Sequence, residues 1–524
     1  MSIRSRLRVA PLLFVTVAIG VIAKPASGQS KPIVTGGGST WVQIAIDQWR
    51  ADVSRYGLRI NYQGVGSSSG RQLFIQGNVD FAATEIPFEG QELDAVRAAG
   101  RQFAYLPDVA GGTSFMYNLQ SGGQPITTLH LSHRTVTGIF TGELRNWNDP
   151  LIKADNPGLN LPDEPIKPVV RSDGSGTSAQ FSAYMSATEH DRWCNFMKAQ
   201  GFSDCPDHTS DYPQFGGSVA QSGSDGVANY VNGTSTGDGA ITYVETGYAL
   251  QRGRPVAFMQ NASGNYVLPT SNNVTVALRA ATLYADKTQN LSAVYTNSDP
   301  VAYPVSSYSY MVVPTSGLDP AKGDVLGQFM LYFACDGQRK ADQLGYAPLP
   351  RNLVQVVFDA ERQVPGAPAP PDISQCNNPT ITGGGGTSNQ TAAALSGGQS
   401  KTGSAPPTPG GGASGVAGGG GTAASTAAGG SAGGGSAAGG AAGSELGASG
   451  GGAAGSTAGV GGAYGGVAGT SGAGTLSPQA LAVLNDRATK SSSTTMAVSA
   501  LFVLLLVLVP PAWGTFRPHR KPGG

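Results

Sequence analysis

The chain carries no surplus of charge of either sign: Lys plus Arg and Asp plus Glu each total 33 in 524 residues. Nucleic-acid-binding domains show a basic excess, so this balance gives that class no support. It leaves room for a small anion, which one arginine and neutral dipoles can hold locally. Cysteine is scarce too, with only Cys194, Cys205, Cys335 and Cys376 and no CxxC pair, which disfavours a thiolate metal site. Of five histidines, His130 and His133 are close in sequence but have no carboxylate cluster beside them, so no metal is expected. The Gly-rich stretch "VVRSDGSGTSAQF" (169–181) lacks the lysine of a P-loop, so no nucleotide cofactor is expected either. Finally, residues 383–474 are Gly, Ala, Ser and Thr with almost no large apolar side chains. Such a stretch buries too little surface to offset its ordering entropy and reads as a disordered linker, with a span of roughly 50–60 Å.

What is present at the two ends concerns membranes. Residues 1–28 place Arg4, Arg6 and Arg8 before an apolar run and close on Ala26-Ser27-Gly28, the pattern of a secretory signal peptide. Residues 496–516 are mostly apolar and are followed by Arg517, His519, Arg520 and Lys521. They read as one transmembrane anchor with a basic cytoplasmic tail, 517–524. The expected product is exported and held on the extracellular face of the cell membrane. In that compartment four cysteines read as two disulfides, and proximity pairs Cys194 with Cys205 and Cys335 with Cys376, one of three connectivities.

Between about 31 and 380, short β-type runs alternate with helical ones, which predicts an α/β fold with a mainly parallel sheet. Ligands of such sheets sit beyond the carboxyl ends of the strands. Three strand–turn–helix junctions carry Gly and hydroxyl residues, Gly36–Thr40, Gly66–Gly70 and Gly174–Thr177. Each alone is an ordinary turn with a Ser or Thr cap. Together, with Arg171 and Glu85 at strand ends, they point to one shared oxyanion site, since unpaired helical N–H groups and a guanidinium fork both donate to oxyanions. A different class of reading stays open: "GSSSG" (66–70) matches the nucleophile elbow of a surface serine hydrolase using Ser68.

The stretches "GGGSTW" (36–41), "INYQGVGSSSG" (60–70), "VDFAATEIP" (79–87), "VRSDGSGTS" (170–178), "GSDGVANYV" and "GAITYVETGYA" (223–249) and "LGYAPLP" (344–350) closely resemble, in order, the PstS-like phosphate-binding proteins of ABC phosphate transporters. The resemblance implies a two-lobed type II solute-binding fold with hinge strands, lobe 1 being 31–115 plus 299–380 and lobe 2 being 116–298. It implies capture of inorganic phosphate between the lobes, delivery to an ABC permease, no cofactor and no catalysis. Carried over by position, Thr40, Trp41, Ser67, Arg171, Ser175, Gly176 and Thr177 would donate to phosphate, and Asp173 would orient Arg171. The family has Asp where this chain has Glu85. That carboxylate would accept the proton of hydrogen phosphate and repel sulfate, which has none. The extra methylene of Glu85 calls for a shifted backbone or fits a larger ligand, so another oxyanion or a phosphate ester is the alternative.

Overall fold

The computed structural model describes residues 30–383 and Leu395. The expected signal peptide, the anchor 496–516, the tail 517–524 and the linker beyond Gly383, Leu395 aside, lie outside the described residues. Among the described residues no helix is long and apolar enough to cross a membrane.

Strands begin where β-branched residues cluster and stop at glycine or proline. Naming the central-sheet strands and the helices used below in chain order, they are β1 (Ile33–Gly38), α1 (Gln43–Ser54), β2 (Arg59–Gly64), α2 (Ser67–Ile75), β3 (Phe81–Thr84), β4 (Phe103–Asn118), β5 (Lys167–Arg171), α3 (Gly176–Thr188), β6 (Val219–Gln221), α4 (Gly223–Asn232), β7 (Ala240–Glu245), β8 (Ser306–Pro314), α5 (Pro320–Ala334), β9 (Tyr346–Ala347) and α6 (Arg351–Glu361). The sheet runs β2-β1-β3-β8-β4-β7-β5-β6, with β9 added on β4.

The expectation of a mainly parallel sheet is corrected here. The outer sets β2-β1-β3 and β7-β5-β6 are parallel. They are joined through β8 and β4, whose pairings with each other and with their flanks are antiparallel. The reason is topological: each outer set is built of strand–helix–strand crossovers, which run parallel. The chain must leave the first set along β4 and return along β8, and those two passes run in opposite directions. β4 has 16 residues and contributes to both halves of the sheet.

Helix α1 buries Ala45, Trp49 and Val53 at helical spacing, and Trp49 stacks on Phe333 of α5 with ring centroids 5.2 Å apart. Trp41 precedes the helix and is itself buried. Both expected disulfides form, Cys194–Cys205 and Cys335–Cys376. The second ties the end of α5 to the segment where Asn378 donates to Ala334 O and Leu349 O.

The last glycine of "GSSSG" is needed for packing. A Cβ on Gly70 would overlap Gly38 Cα and lie 2.8 Å from Gly37 O, backbone atoms of β1 that cannot rotate away. Gly70→Ala should therefore destabilise the protein by roughly 1–3 kcal/mol, although alanine is the better helix former by about 1 kcal/mol. Denaturant unfolding measures this, and an unchanged or raised midpoint would contradict the packing.

Candidate functional site

The carboxyl ends of β1, β3 and β5 meet the N-termini of α2, α3 and α4 around one buried carboxylate, Glu85, which is 1% exposed. Ser67, at the start of α2, donates its hydroxyl to Glu85 Oε2 at 2.7 Å, and Ser39, just past β1, donates to Oε1. The N–H of Gly176, the first residue of α3, donates to Ser67 Oγ at 3.1 Å, so this contact crosses from one half of the sheet to the other. A Cβ on Gly176 would overlap Glu85 Oε2 and lie 2.7 Å from Ser67 Oγ. The bare backbone at 176 thus makes room for the longer acidic side chain, and Gln180 Nε2 holds its main chain through Glu85 O at 2.8 Å.

Arg171 ends β5 at 3% exposure. Its Nε donates to Asp173 Oδ1 at 2.8 Å and its Nη2 to Oδ2, a bidentate pair. Asp173 Oδ1 also accepts from the N–H of Gly223 at 2.8 Å, at the start of α4. Burial is the largest influence on Asp173 and acts upward. The Arg171 guanidinium and the Gly223 N–H together outweigh it and leave the carboxyl below its usual range. Glu85 is the opposite case: burial dominates and raises it, against the opposing hydroxyls of Ser39 and Ser67 and the charge of Arg171.

Most residues expected from the sequence come together here, each with a role the geometry refines. Thr40 Oγ1 lies 2.8 Å from Ser224 Oγ and accepts from the Ser224 N–H at 3.1 Å. Ser175 caps α3, its hydroxyl oxygen accepting from the Ser178 N–H at 3.1 Å, which leaves its proton to donate elsewhere. Thr177 Oγ1 is buried and has no hydrogen-bond partner. Trp41 differs from expectation: its N–H is given to Ser39 Oγ at 3.0 Å, and its ring lies edge-on to Tyr346 at 5.4 Å. Ser39 and Ser224 were not singled out from the sequence. Ser39 was legible inside "GGGSTW", whereas Ser224 only gains meaning once α4 is seen to point at Arg171, whose Nη1 is 3.5 Å from Ser224 Oγ.

Ser68 has another job. Its N–H donates to Gly174 O at 3.2 Å, and its Oγ accepts from Arg71 Nη2 at 3.3 Å. The described histidines are engaged elsewhere: His130 stacks on Tyr266, His133 and His208 meet Glu189 and Glu89, and His190 lies against the Cys194 sulfur. His190, Cys194 and Cys205 sit close enough to share an ion, but the two sulfurs are already joined to each other. What remains is a dehydrated ring of one guanidinium, several hydroxyls and a helix N-terminus, equipped to hold an oxyanion.

The comparisons with known proteins agree with one another. The model of the PBP superfamily domain matches residues 23–337. The phosphate-binding protein PstS of Xylella fastidiosa strain Temecula1 is 34% identical over 336 residues, covering 64% of this chain and 86% of that protein. Phosphate-binding protein PstS 2 of Mycobacterium tuberculosis strain H37Rv is 30% identical over 346 residues, covering 63% and 88%. Among solved structures, a high-affinity periplasmic phosphate-binding protein bound with phosphate overlaps at 20% identity and a TM-score of 0.49, covering 63% of this chain and 93% of that one. With 86% of a relative spanned at 34% identity and the superfamily model matched over 23–337, the chain belongs to the PBP superfamily and, within it, to the PstS family.

Proposed function

We propose that this protein captures inorganic phosphate between two lobes and delivers it to an ABC permease, without catalysing a reaction. The observation that carries this is the buried ring itself: Arg171, paired with Asp173 and facing hydroxyls and the start of α3, has no group beside it suited to break a bond. The lobes correspond to 31–115 plus 299–380 and to 116–298, with β4 and β8 as the hinge. Within the cleft, Arg171 supplies the charged donor, while Thr40, Ser67, Ser175 and Thr177 supply hydroxyls. The N–H groups at Trp41 and Gly176 complete the set, and Ser39 and Ser224 hold the first shell in place. Glu85 accepts the ligand's proton, which favours hydrogen phosphate over sulfate.

The export signal at 1–28 and the anchor at 496–516 belong to the same reading. They place the cleft outside the cell, tethered by the 383–474 linker within reach of a permease. The engagement of the histidines away from Ser68 weighs against the hydrolase. Calorimetry on the full-length protein in detergent, stripped of bound ligand, tests the proposal. Phosphate should bind with a dissociation constant of about 1 µM or tighter, with sulfate failing to compete. No measurable phosphate binding sinks the reading, and tighter binding of a phosphate ester replaces it with the ester alternative, which the longer side chain of Glu85 favours.

A further inference from the structure

A second buried carboxyl lies behind the site. β4 and β8 pair as Ser309↔Val109 and then Tyr310↔Pro107, with a register shift between Ser309 and Tyr310, so Asp108 has no cross-strand partner of its own. A bulge of this kind re-aims the side chain of the extra residue. On the other edge of β8, Tyr310 pairs with Thr84, and continuing that register by one residue sets Glu85 opposite Ser309. Ser309 thus stands between Asp108 on one neighbouring strand and Glu85 on the other.

Asp108 is fully buried. Its Oδ1 accepts from the Val109 N–H at 2.6 Å, and its main-chain oxygen accepts from Gln338 Nε2 at 2.9 Å. Oδ2 and Ser309 Oγ are buried, each without a closed hydrogen bond. Ser309 nevertheless lies near enough to both carboxyls to draw each of them downward, against burial in both cases and, for Asp108, against the charge of Glu85 as well. The other titratable groups that feel Asp108 are the phenols of Tyr62, Tyr310 and Tyr346, all buried and held well above their usual range, hence neutral. Arg171 is the cation acting on Glu85.

We propose that Asp108 is a positioning residue for the oxyanion site: its Oδ2–H donates to Ser309, and the Ser309 hydroxyl donates on to Glu85. The chain satisfies both orphaned oxygens at once, and it works only with a proton on Asp108, because a carboxylate has none to give. The pair then carries one negative charge, on Glu85, which is left ionised and aimed at the ligand. Ionisation of Asp108 at alkaline pH adds a second charge behind the site and removes the donor, and both effects oppose anion binding. The inference concerns how the proposed phosphate site is tuned, so it rests on that reading, yet half of its test needs no ligand.

The test uses the full chain and two variants. Asp108→Asn keeps the shape and the donor but cannot titrate. Asp108→Leu removes the donor. Infrared difference spectra of wild type against Asp108→Asn at neutral pH should show one protonated-carboxyl band lost in the variant. Absence of that band overturns the proposal whether or not phosphate binds. In phosphate titrations the Asn variant should match wild type within about threefold at neutral pH and lose less affinity than wild type at alkaline pH. The Leu variant should bind about tenfold or more weakly, the loss of one hydrogen bond to a charged group, and Asp108→Asn measured beside it separates this from misfolding. Identical pH profiles for wild type and Asp108→Asn refute the Asp108 role while leaving phosphate binding intact. Failure of wild type to bind phosphate refutes the transport reading, and the infrared band still decides the Asp108 chain.

Discussion

Arg171→Ala should lower oxyanion affinity by about a thousandfold, the largest effect expected of any single substitution in the site. The guanidinium is 3% exposed and its fork is spent on Asp173, so the change does more than delete a donor. It leaves the Asp173 carboxylate, whose side chain is 15% exposed, buried with only the Gly223 N–H against it, and turns a neutral pair into a negative charge beside an anion. Breaking one side of a buried pair costs roughly 3–5 kcal/mol, and every 1.4 kcal/mol is about tenfold in affinity. Part of that cost falls on folding, so the melting temperature should drop as well. The double variant Arg171→Ala/Asp173→Ala separates the two: stability should recover while binding does not. Calorimetry and thermal melts on the three proteins decide it, and affinity within about tenfold of wild type for Arg171→Ala contradicts the role given to this residue.

The second large effect lies far from the ligand. Glu361 ends the apolar face of α6, fully buried, with neither carboxyl oxygen hydrogen-bonded. Burial pushes its carboxyl from 4.5 up to about 9, with Arg362 opposing weakly. Between those values the unfolded chain has lost this proton and the native protein keeps it, so the native state binds more protons and stability falls as pH rises through the interval. Below 4.5 the penalty is absent, and above about 9 it is complete, on the order of 5 kcal/mol. Glu361→Met, of similar length and without the charge, should raise stability at neutral pH by roughly 2–4 kcal/mol and remove this part of the pH slope. Asp108 and Glu245 are raised in the same sense and keep their slopes, so the difference between wild-type and variant curves isolates Glu361. Parallel curves would show that Glu361 is not what sets the slope.

The parts of the site that could be read from the sequence are those built locally. A strand, a Gly–hydroxyl turn and a helix follow one another within about a dozen residues, so the loops carrying Thr40, Ser67 and Ser175 announce themselves, and Arg171 stands in the same stretch as its partner Asp173. What escaped depends on residues far apart in the chain. Ser224 reaches Thr40 only because the two halves of the sheet meet. The bulge at Asp108 exists only against Ser309. The antiparallel centre of the sheet pairs segments with no local signal of their partnership, which is why the alternation of strands and helices suggested a mainly parallel sheet. "GSSSG" shows the converse hazard: a pattern that reads as an elbow is explained by Gly70 letting α2 lie on β1, with Ser67 facing Glu85 and Ser68 tied to Gly174 O.

The pairing of β4 with β8 also bears on when the protein can fold. Phe103–Gly112 find their partners in Ser306–Pro314, so the middle strand of the sheet stays unpaired along that edge until the ribosome has made most of the domain. Contacts this distant in sequence form slowly. A nascent chain of this design lingers in an open form, the form in which a polypeptide can be threaded through a translocation pore. The sheet then closes on the far side, where Cys335 and Cys376 can be oxidised.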